Sequence, residues 1–337
     1  MPPKSVSLRD IADRLCLSVK TVSGALNDSN IRMSDDTRER VRLLAEELGY
    51  RPNEVARGMR TGVMPIVGML ADGLITQPFA TEILRQFDNL LRAQELAVIV
   101  TSIKDGSEVE KGIADLRRLL PQHMVYASMY HQPIDLPRAV RTQIALMMNC
   151  FDVHGEIPSL VPDEEAAGYE AARLLLQKAR RNIAYFNLPG LIAGNLREKG
   201  FRRAMEEDGA RVDEGWVKPA TRGALYSGGA RSLVQPTINS WFGGARHPDA
   251  VICGNDRVAM EVYNGLRRLG HTIPDDVAII SFDNHVDIAS RLDPPLTTMA
   301  LPHREIGRLA GDIITGKTPA PQGLVRIPFR IVERGSV

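Results

Sequence analysis

The feature that most constrains this chain is a helical pattern near its N-terminus. Within residues 7–49, apolar side chains recur every three or four positions in three separate runs, which predicts three amphipathic helices. Ser7, Ser18 and Ser34 precede these runs, and serine is a favoured N-cap because its hydroxyl accepts a hydrogen bond from an unpaired backbone N–H. The first two runs are too short to bury much apolar surface alone, so we expect them to pack on the third.

The predicted helices direct their apolar side chains inward and leave polar groups on the outer face of the second helix. The inward residues are Leu8, Ile11, Ala12 and Leu15, then Val22, Ala25 and Leu26, then Val41, Leu44, Ala45 and Leu48. By helix count alone, this is a generic three-helix bundle. The outer face of the second helix favours a DNA-reading head, because short or polar groups suit a groove and phosphate contacts. The predicted DNA contacts on this face are Ser18, Val19, Lys20, Thr21, Ser23 and Asn27.

Residues 51–62 read RPNEVARGMRTG and predict a helix too weak to form by itself. Helices shorter than about 12–15 residues are marginal in water, and Gly58 costs roughly a further 1 kcal/mol relative to alanine. DNA could hold such a helix, with Met59 wedged between base steps of the minor groove; a plain interdomain linker is the alternative. The predicted DNA contacts in this segment are Asn53, Arg57, Met59 and Arg60.

From residue 65 onward, apolar strand-like runs alternate with amphipathic helical runs. The predicted strands are 66–70, 97–102, 124–128, 145–150, 182–187, 250–254 and 277–282. The predicted helices lie near 79–93, 107–120, 164–179, 193–208, 227–240, 256–269 and 302–315. Nearly continuous apolar strands bounded by helices are typical of parallel sheets covered on both faces. The pattern therefore predicts an α/β body with two doubly wound lobes.

Polar side chains follow several of these strands. Ligands in doubly wound folds bind outside the carboxyl ends of the strands, so a cleft between the lobes is the expected binding site. Polar residues that follow a strand often only cap the next helix, and Asp163 and Asn255 could be such caps. The candidate ligand contacts are Asp72, Asp163, Arg197, Asn255, Asp256 and Asp283.

Composition and motifs restrict the function. Lys and Arg number 42 and Asp and Glu 41, giving a net charge of +1, so overall charge does not indicate a nucleic-acid partner. The sequence has no P-loop, G-x-G-x-x-G, G-x-S-x-G or H-E-x-x-H motif, and its seven histidines lack metal-ligand spacing. We therefore expect no enzyme activity, metal or cofactor.

Three widely spaced cysteines fit a reducing compartment better than a disulfide framework. The N-terminus shows no apolar signal-peptide core, and no apolar run approaches the ~18 residues of a membrane span. We expect a cytoplasmic protein with no membrane partner.

The sequence resembles the lactose/galactose repressor family. The matching segments read DIADRLCLS, VKTVSGALN, SDDTRERVRLLAEELGYRPN and ARGMRTG, and the match continues through the chain. The resemblance implies an all-α helix-turn-helix domain, a hinge helix, and a periplasmic-binding-protein-like body for effector binding and dimerisation. The implied ranges are 1–50, 51–62 and 63–337, with one lobe at about 63–160 and 289–320 and the other at about 161–288 and 321–337.

The resemblance also implies a function. It implies a homodimeric transcriptional regulator, a repressor, that binds a pseudo-palindromic DNA operator under the allosteric control of a small molecule, a sugar or sugar derivative. In similar repressors the positions of Arg197, Asn255 and Asp283 hold the effector, together with an acid near Asp163 and an aromatic near Phe79. A transporter's solute-binding protein and an enzyme are the alternatives, but neither explains the N-terminal helices.

Two residues depart from the family pattern. Cys16 stands where the family usually has glycine in the turn after the first helix, and a left-handed conformation there would cost about 1–2 kcal/mol. Gly24 stands where arginine is common, which removes a group that could read guanine or contact phosphate. The operator sequence therefore cannot be transferred from relatives.

Overall fold

The computed structural model describes residues 6–26, 32–51, 57–58, 61–74, 80–104, 106–223 and 229–337. The chain divides into two compact units, residues 1–64 and 65–337. Among the described residues, no helix is both long enough and apolar enough to cross a membrane.

The first unit contains the three predicted helices, which are α1 (Leu8–Leu15), α2 (Val19–Leu26) and α3 (Asp35–Glu47). Each begins where a serine caps it. Ser7 forms a reciprocal capping box with Asp10, and the Ser18 and Ser34 hydroxyls each accept from the backbone N–H three residues on. The buried core of this unit is Ile11, Ala12, Val22, Ala25, Val41 and Ala45. These are residues of the predicted inward faces, so the apolar pattern located the helices correctly.

Part of the segment after α3 is also helical. Arg57, Gly58 and Thr61 have helical conformation, and the Gly62 N–H donates to the Gly58 carbonyl at 2.7 Å. Gly58 is buried, and a Cβ at this position would lie 1.9 Å from the Met64 sulfur. A larger residue at position 58 would therefore force Met64 to move.

The strands from residue 64 onward are β1 (Met64–Asp72), β2 (Ala97–Ile103), β3 (Pro121–Ser128), β4 (Pro133–Ile134), β5 (Leu146–Met148), β6 (Phe151–Asp152), β7 (Ser159–Pro162), β8 (Ile183–Asn187), β9 (Val217–Pro219), β10 (Thr221–Arg222), β11 (Arg231–Ser232), β12 (Ala250–Cys253), β13 (Ala278–Asp283), β14 (Thr297–Ala300), β15 (Leu324–Ile327) and β16 (Arg330–Val332). The helices are α4 (Thr81–Arg92), α5 (Val109–Arg117), α6 (Arg138–Arg141), α7 (Glu164–Gln177), α8 (Ile192–Glu207), α9 (Val234–Phe242), α10 (Asp256–Arg268) and α11 (His303–Ile314), with 3-10 turns at Gly106–Glu108 and Glu214–Trp216.

Two six-stranded sheets organise the second unit. One has the order β15-β7-β5-β3-β1-β2 and the other β16-β14-β13-β12-β8-β9. Pairs such as β1–β2, β12–β13 and β13–β14 are parallel, whereas β16 is antiparallel to β14. Alternate residues of a strand face opposite sides, so Met69 enters one buried cluster and Leu70 another. Both faces are covered, which confirms the two predicted doubly wound lobes.

The lobe boundaries differ from those expected. β14, which was expected in the first lobe, pairs with β13 in the second sheet, and β15, which was expected in the second lobe, pairs with β7 in the first. The first lobe is therefore built from residues 65–162 and 303–327, and the second from 163–300 and 329–337. Pro328, which has no N–H for a strand ladder, lies between β15 and β16, and these two strands belong to different sheets.

The turn after α1 generates a stability prediction. Cys16 is the C-cap of α1, with φ 52° and ψ 41°, so it adopts the left-handed conformation that glycine tolerates. Cys16→Gly should stabilise the first unit by about 1 kcal/mol by removing that steric cost. Hydrogen exchange of the α1 and α2 amides in the full chain measures the gain. Cys16→Ala removes the thiol but keeps the strained Cβ, so it should give no gain; unchanged exchange in Cys16→Gly would contradict the argument.

Candidate functional site

The N-terminal end of α2 and its cap carry five of the predicted DNA contacts. Ser18, Val19 and Lys20 are exposed, and Thr21 and Ser23 are half-buried. Ser18 Oγ accepts from the Thr21 backbone N–H at 3.0 Å, so it caps the helix. The partial positive charge of a helix N-terminus favours phosphate, and it lies beside the Lys20 charge. This end of α2 therefore suits a nucleic-acid backbone.

The remaining predicted DNA contacts lie in or beyond the following segment. Arg57 is exposed and helical. Asn27, Asn53, Met59 and Arg60 lie outside the described residues.

A small cavity of about 60 Å³ lies between the two lobes of the second unit. Its second-lobe side includes Glu164, Arg197, Asn255 and Asp283, and three of these four were predicted from strand ends. The cavity thus forms where the sequence placed a ligand cleft.

Arg197 and Glu164 form a buried ion pair in this cavity. Arg197 Nε donates to Glu164 Oε2 at 2.6 Å, and Arg197 Nη1 donates to the Gly254 carbonyl at 2.7 Å. The Arg197 and Glu164 side chains are 4% and 2% exposed, and the guanidinium lies 4.4 Å from the centroid of the Phe282 ring. Burial alone would raise the pKa of Glu164, but the Arg197 charge and hydrogen bonds hold that pKa below its ordinary value. The Glu164 carboxylate is therefore ionised.

Close packing of α7 on α8 brings these two side chains together. A Cβ at Gly168 would lie 2.0 Å from the Arg197 carbonyl oxygen, and one at Gly200 would lie 2.0 Å from the Glu165 carbonyl oxygen. Only glycine permits the two helix backbones to approach so closely. The first residue of α7 and the second turn of α8 consequently meet at the cleft.

Asp283 ends β13 in a strained conformation. Its φ is +108°, and Asn284 follows with φ +54°, conformations that non-glycine residues rarely adopt. Burial raises the pKa of Asp283 well above its ordinary value; the Arg197 charge opposes this shift, while the Asp256 and Glu164 charges add to it. Backbone strain of this kind clusters at ligand-binding sites because the surroundings must enforce it.

Two predicted contacts are helix caps. Asn255 Oδ1 accepts from the Val258 N–H at 3.0 Å and caps α10, and Asp163 accepts from the Ala166 N–H at 3.2 Å and caps α7. Asn255 also lines the cavity. The acid that lines the cavity beside Asp163 is Glu164.

Two other predicted contacts, Asp256 and Asp72, do not line this cavity. Asp256 is 1% exposed and accepts hydrogen bonds from Ser281, from Thr298 at 2.9 Å and from the His285 N–H at 2.6 Å. The Asp256 carboxylate is thus hydrogen-bonded within the second lobe. Asp256 was expected to contact the effector, but its observed role is structural.

Asp72 also bonds within its own lobe, because it accepts from Tyr126 at 3.2 Å and from Gln132 at 2.9 Å. It does not line the cavity between the lobes. Phe79 lies outside the described residues.

The first-lobe wall of the cavity contains Tyr130, His131 and Asn149, which were not predicted from the sequence. Tyr130 and His131 follow β3, and Asn149 follows β5, so the strand-end rule used for the other candidates would have found them. His131 Nδ1 is buried and has no hydrogen-bond partner among the described residues. It lies 3.9 Å from Glu164 Oε1.

A second cavity of about 630 Å³ adjoins the first. The two share Asp283, Leu301 and His303 as lining residues. Ligand sites typically enclose about 300–1,000 Å³, so the smaller cavity cannot hold such a ligand by itself. Together, the two cavities offer a ligand-sized space beside the segments where the chain passes from one lobe to the other. Among the residues described, no group of His, Cys, Asp or Glu is arranged to hold a metal ion.

A three-helix head with an exposed capped helix, on the same chain as a two-lobed body with a polar cleft, defines a ligand-responsive DNA-binding protein. Residues 7–53 match the family model of bacterial regulatory proteins, lacI family, and residues 172–337 match that of the periplasmic binding protein-like domain. The chain belongs to the lacI family of bacterial regulatory proteins. It is therefore a transcriptional regulator rather than an enzyme.

Individual relatives span the same two units. The chain is 31% identical to the sucrose operon repressor of Escherichia coli over 335 residues, covering 98% of this chain and 99% of the relative. It is also 31% identical to the regulator DegA of Bacillus subtilis, covering 98% of each. Among solved structures, a lacI-family regulator from Rhizobium etli matches with a TM-score of 0.74 and 26% identity, over 81% of this chain and 98% of that one.

A structure of the lac repressor dimer bound to operator matches with a TM-score of 0.76 and 19% identity, over 99% of each chain. At that identity, the likeness shows the shared fold. It covers the helical head as well as the two-lobed body.

The raised pKa of Asp283 generates a pH prediction. A carboxyl group whose pKa is higher in the folded than in the unfolded protein binds its proton more tightly when folded. Stability therefore falls as pH rises from the unfolded value of about 4 towards the raised folded value. Asp283→Asn does not titrate, so between about pH 5 and about pH 8 it should lose less unfolding free energy than the wild type.

Urea unfolding of both proteins across this range measures the difference. Asp287→Asn is the control, because this exposed carboxylate in the same loop pairs with Arg291 on the surface. We expect Asp287→Asn to keep the wild-type pH dependence. A constant stability difference between the wild type and Asp283→Asn would contradict the prediction.

Proposed function

We propose that this protein is a repressor that binds a pseudo-palindromic operator as a homodimer and changes its operator affinity when a sugar or sugar derivative occupies the cleft. The observation that carries the proposal is the convergence of Glu164, Arg197, Asn255 and Asp283 on one cavity between two lobes. A cation, an amide and carboxyl groups offer the directional donors and acceptors that a ligand rich in hydroxyls requires.

The relatives support a sugar as effector. Two proteins similar over nearly the whole chain are named the sucrose operon repressor and the ribose operon repressor. A homodimer presents two reading heads related by two-fold symmetry, which accounts for a pseudo-palindromic site. A regulator that binds bacterial DNA acts in the cytoplasm, where the cysteines also remain reduced.

In this proposal, the three-helix unit binds the operator and the cleft between the lobes binds the effector. Ser18, Val19, Lys20, Thr21 and Ser23 would contact the operator, and Arg57 would reach it from the segment after α3. A ligand that binds one arrangement of the lobes better than another shifts the population towards that arrangement. The coupling between ligand and operator follows from this difference in affinity.

Binding to an operator selected from random DNA tests the proposal. Fluorescence anisotropy is measured on the full chain with and without sucrose or ribose. Lys20→Ala should weaken operator binding. It should also lower by about one the number of counterions released on binding, which the salt dependence measures, because one phosphate contact is lost. Asp283→Ala should keep operator binding but lose the sugar response, because unpaired ligand donors cost about 1–3 kcal/mol.

Lys178→Ala is the matched control, since this exposed lysine lies at the end of α7, and both properties should be unchanged. Loss of operator binding in folded Asp283→Ala with the sugar affinity retained would contradict the site assignment. Failure to select any DNA sequence would contradict the function itself.

A further inference from the structure

Two of the five N–H donors of Arg197 already bond within the protein. Arginine recognises phosphate and carboxylate with two parallel N–H donors on one edge of the guanidinium. Nε, which shares one edge with Nη2, donates to Glu164, and Nη1, which shares the other edge with Nη2, donates to Gly254. Nε has a single N–H, so the edge that it shares with Nη2 has lost one of its two donors. That edge can give a ligand a single hydrogen bond but not a bidentate clamp.

The charge of Arg197 is also neutralised within the cleft. Glu164 contributes one negative charge and Arg197 one positive charge, and both side chains are almost completely buried. An anionic group placed at this wall would lie beside the Glu164 carboxylate, and the Arg197 charge that could balance it is already paired. Like charges repel strongly where water is excluded, so this wall of the cavity disfavours anions.

A hydroxyl group in the cavity can bridge Glu164 and His131. The Glu164 Oε1 to His131 Nδ1 separation of 3.9 Å is too long for a direct hydrogen bond, and His131 Nδ1 has no partner among the described residues. His131 is only 8% exposed and lines the cavity. One hydroxyl beside both atoms can donate to the carboxylate and also bond the ring nitrogen, because it is both donor and acceptor. A phosphate or carboxylate oxygen has no proton to give to Glu164.

Within the sugar-responsive function proposed above, we infer that the cleft selects uncharged polyhydroxy ligands and rejects their phosphate esters and acid derivatives, with Glu164 as the residue that determines this specificity. The ion pair excludes the anion, and the space beside His131 receives a hydroxyl.

Calorimetric titration of the wild-type full chain with matched pairs tests the inference. The pairs are sucrose and sucrose 6-phosphate, ribose and ribose 5-phosphate, fructose and fructose 6-phosphate, and glucose and gluconate. We expect the tightest ligand to be an uncharged member and its charged counterpart to bind at least about ten-fold more weakly. A charged member that binds as tightly as its uncharged counterpart, or more tightly, would overturn the inference and leave the sugar-responsive function standing. Binding by neither member of any pair would count against that function and against the inference together.

Glu164→Gln assigns the specificity to this residue. The amide keeps the shape of the side chain, removes the negative charge and releases Arg197 from its ion pair. The ratio of charged to uncharged affinity should rise by at least about ten-fold. Glu165→Gln is the matched control, because this neighbouring carboxylate pairs on the surface with Lys199 and Arg203, and its ratio should equal that of the wild type.

An unchanged ratio in folded Glu164→Gln would overturn the assignment. If that variant does not fold, the wild-type ratios alone decide whether the cleft rejects anions, and Glu164→Asp, which retains the charge, should keep the wild-type preference.

Discussion

The buried ion pair between Glu164 and Arg197 is the interaction on which the cleft depends. Burying a charge costs several kcal/mol even after the protein relaxes, so each partner is tolerated only because the other satisfies it. The pair in turn requires the close crossing of α7 and α8, which Gly168 and Gly200 permit. The close backbone contact between α7 and α8 thereby determines where the ion pair lies. It also determines which hydrogen-bonding groups of the pair a ligand can reach.

The second lobe supports this pair with a rigid frame. Asp256 joins the start of α10 to Ser281 on β13, to Thr298 on β14 and to the backbone of His285 after β13. These bonds hold the end of β13, where Asp283 adopts its strained conformation. The predicted effector contact Asp256 is therefore better understood as an anchor for the residue that faces the cavity.

Sequence periodicity predicted most helices and most central strands because burial on one or both faces leaves a regular apolar pattern. It did not predict β14, a short strand whose threonines are buried by pairing partners distant in the chain. The search for polar residues after strands found Arg197, Asn255 and Asp283, which line the cavity. It could not distinguish the Asp256 carboxylate, which is hydrogen-bonded within its own lobe, from a carboxylate that faces a cavity. That distinction depends on three-dimensional neighbours, as does the ion pair of Glu164, whose partner lies 33 residues away.

The central claim is that an uncharged sugar binds between the lobes at the buried ion pair. Hydrogen–deuterium exchange of the full chain, with and without a sugar that binds, tests it most directly. The account predicts that the sugar slows exchange at the starts of α7 and α8 and at the end of β13, the segments that carry Glu164, Arg197 and Asp283. Slowed exchange confined to the outer surface of α8, around Lys199 and Arg203, with no change at those three segments, would contradict it.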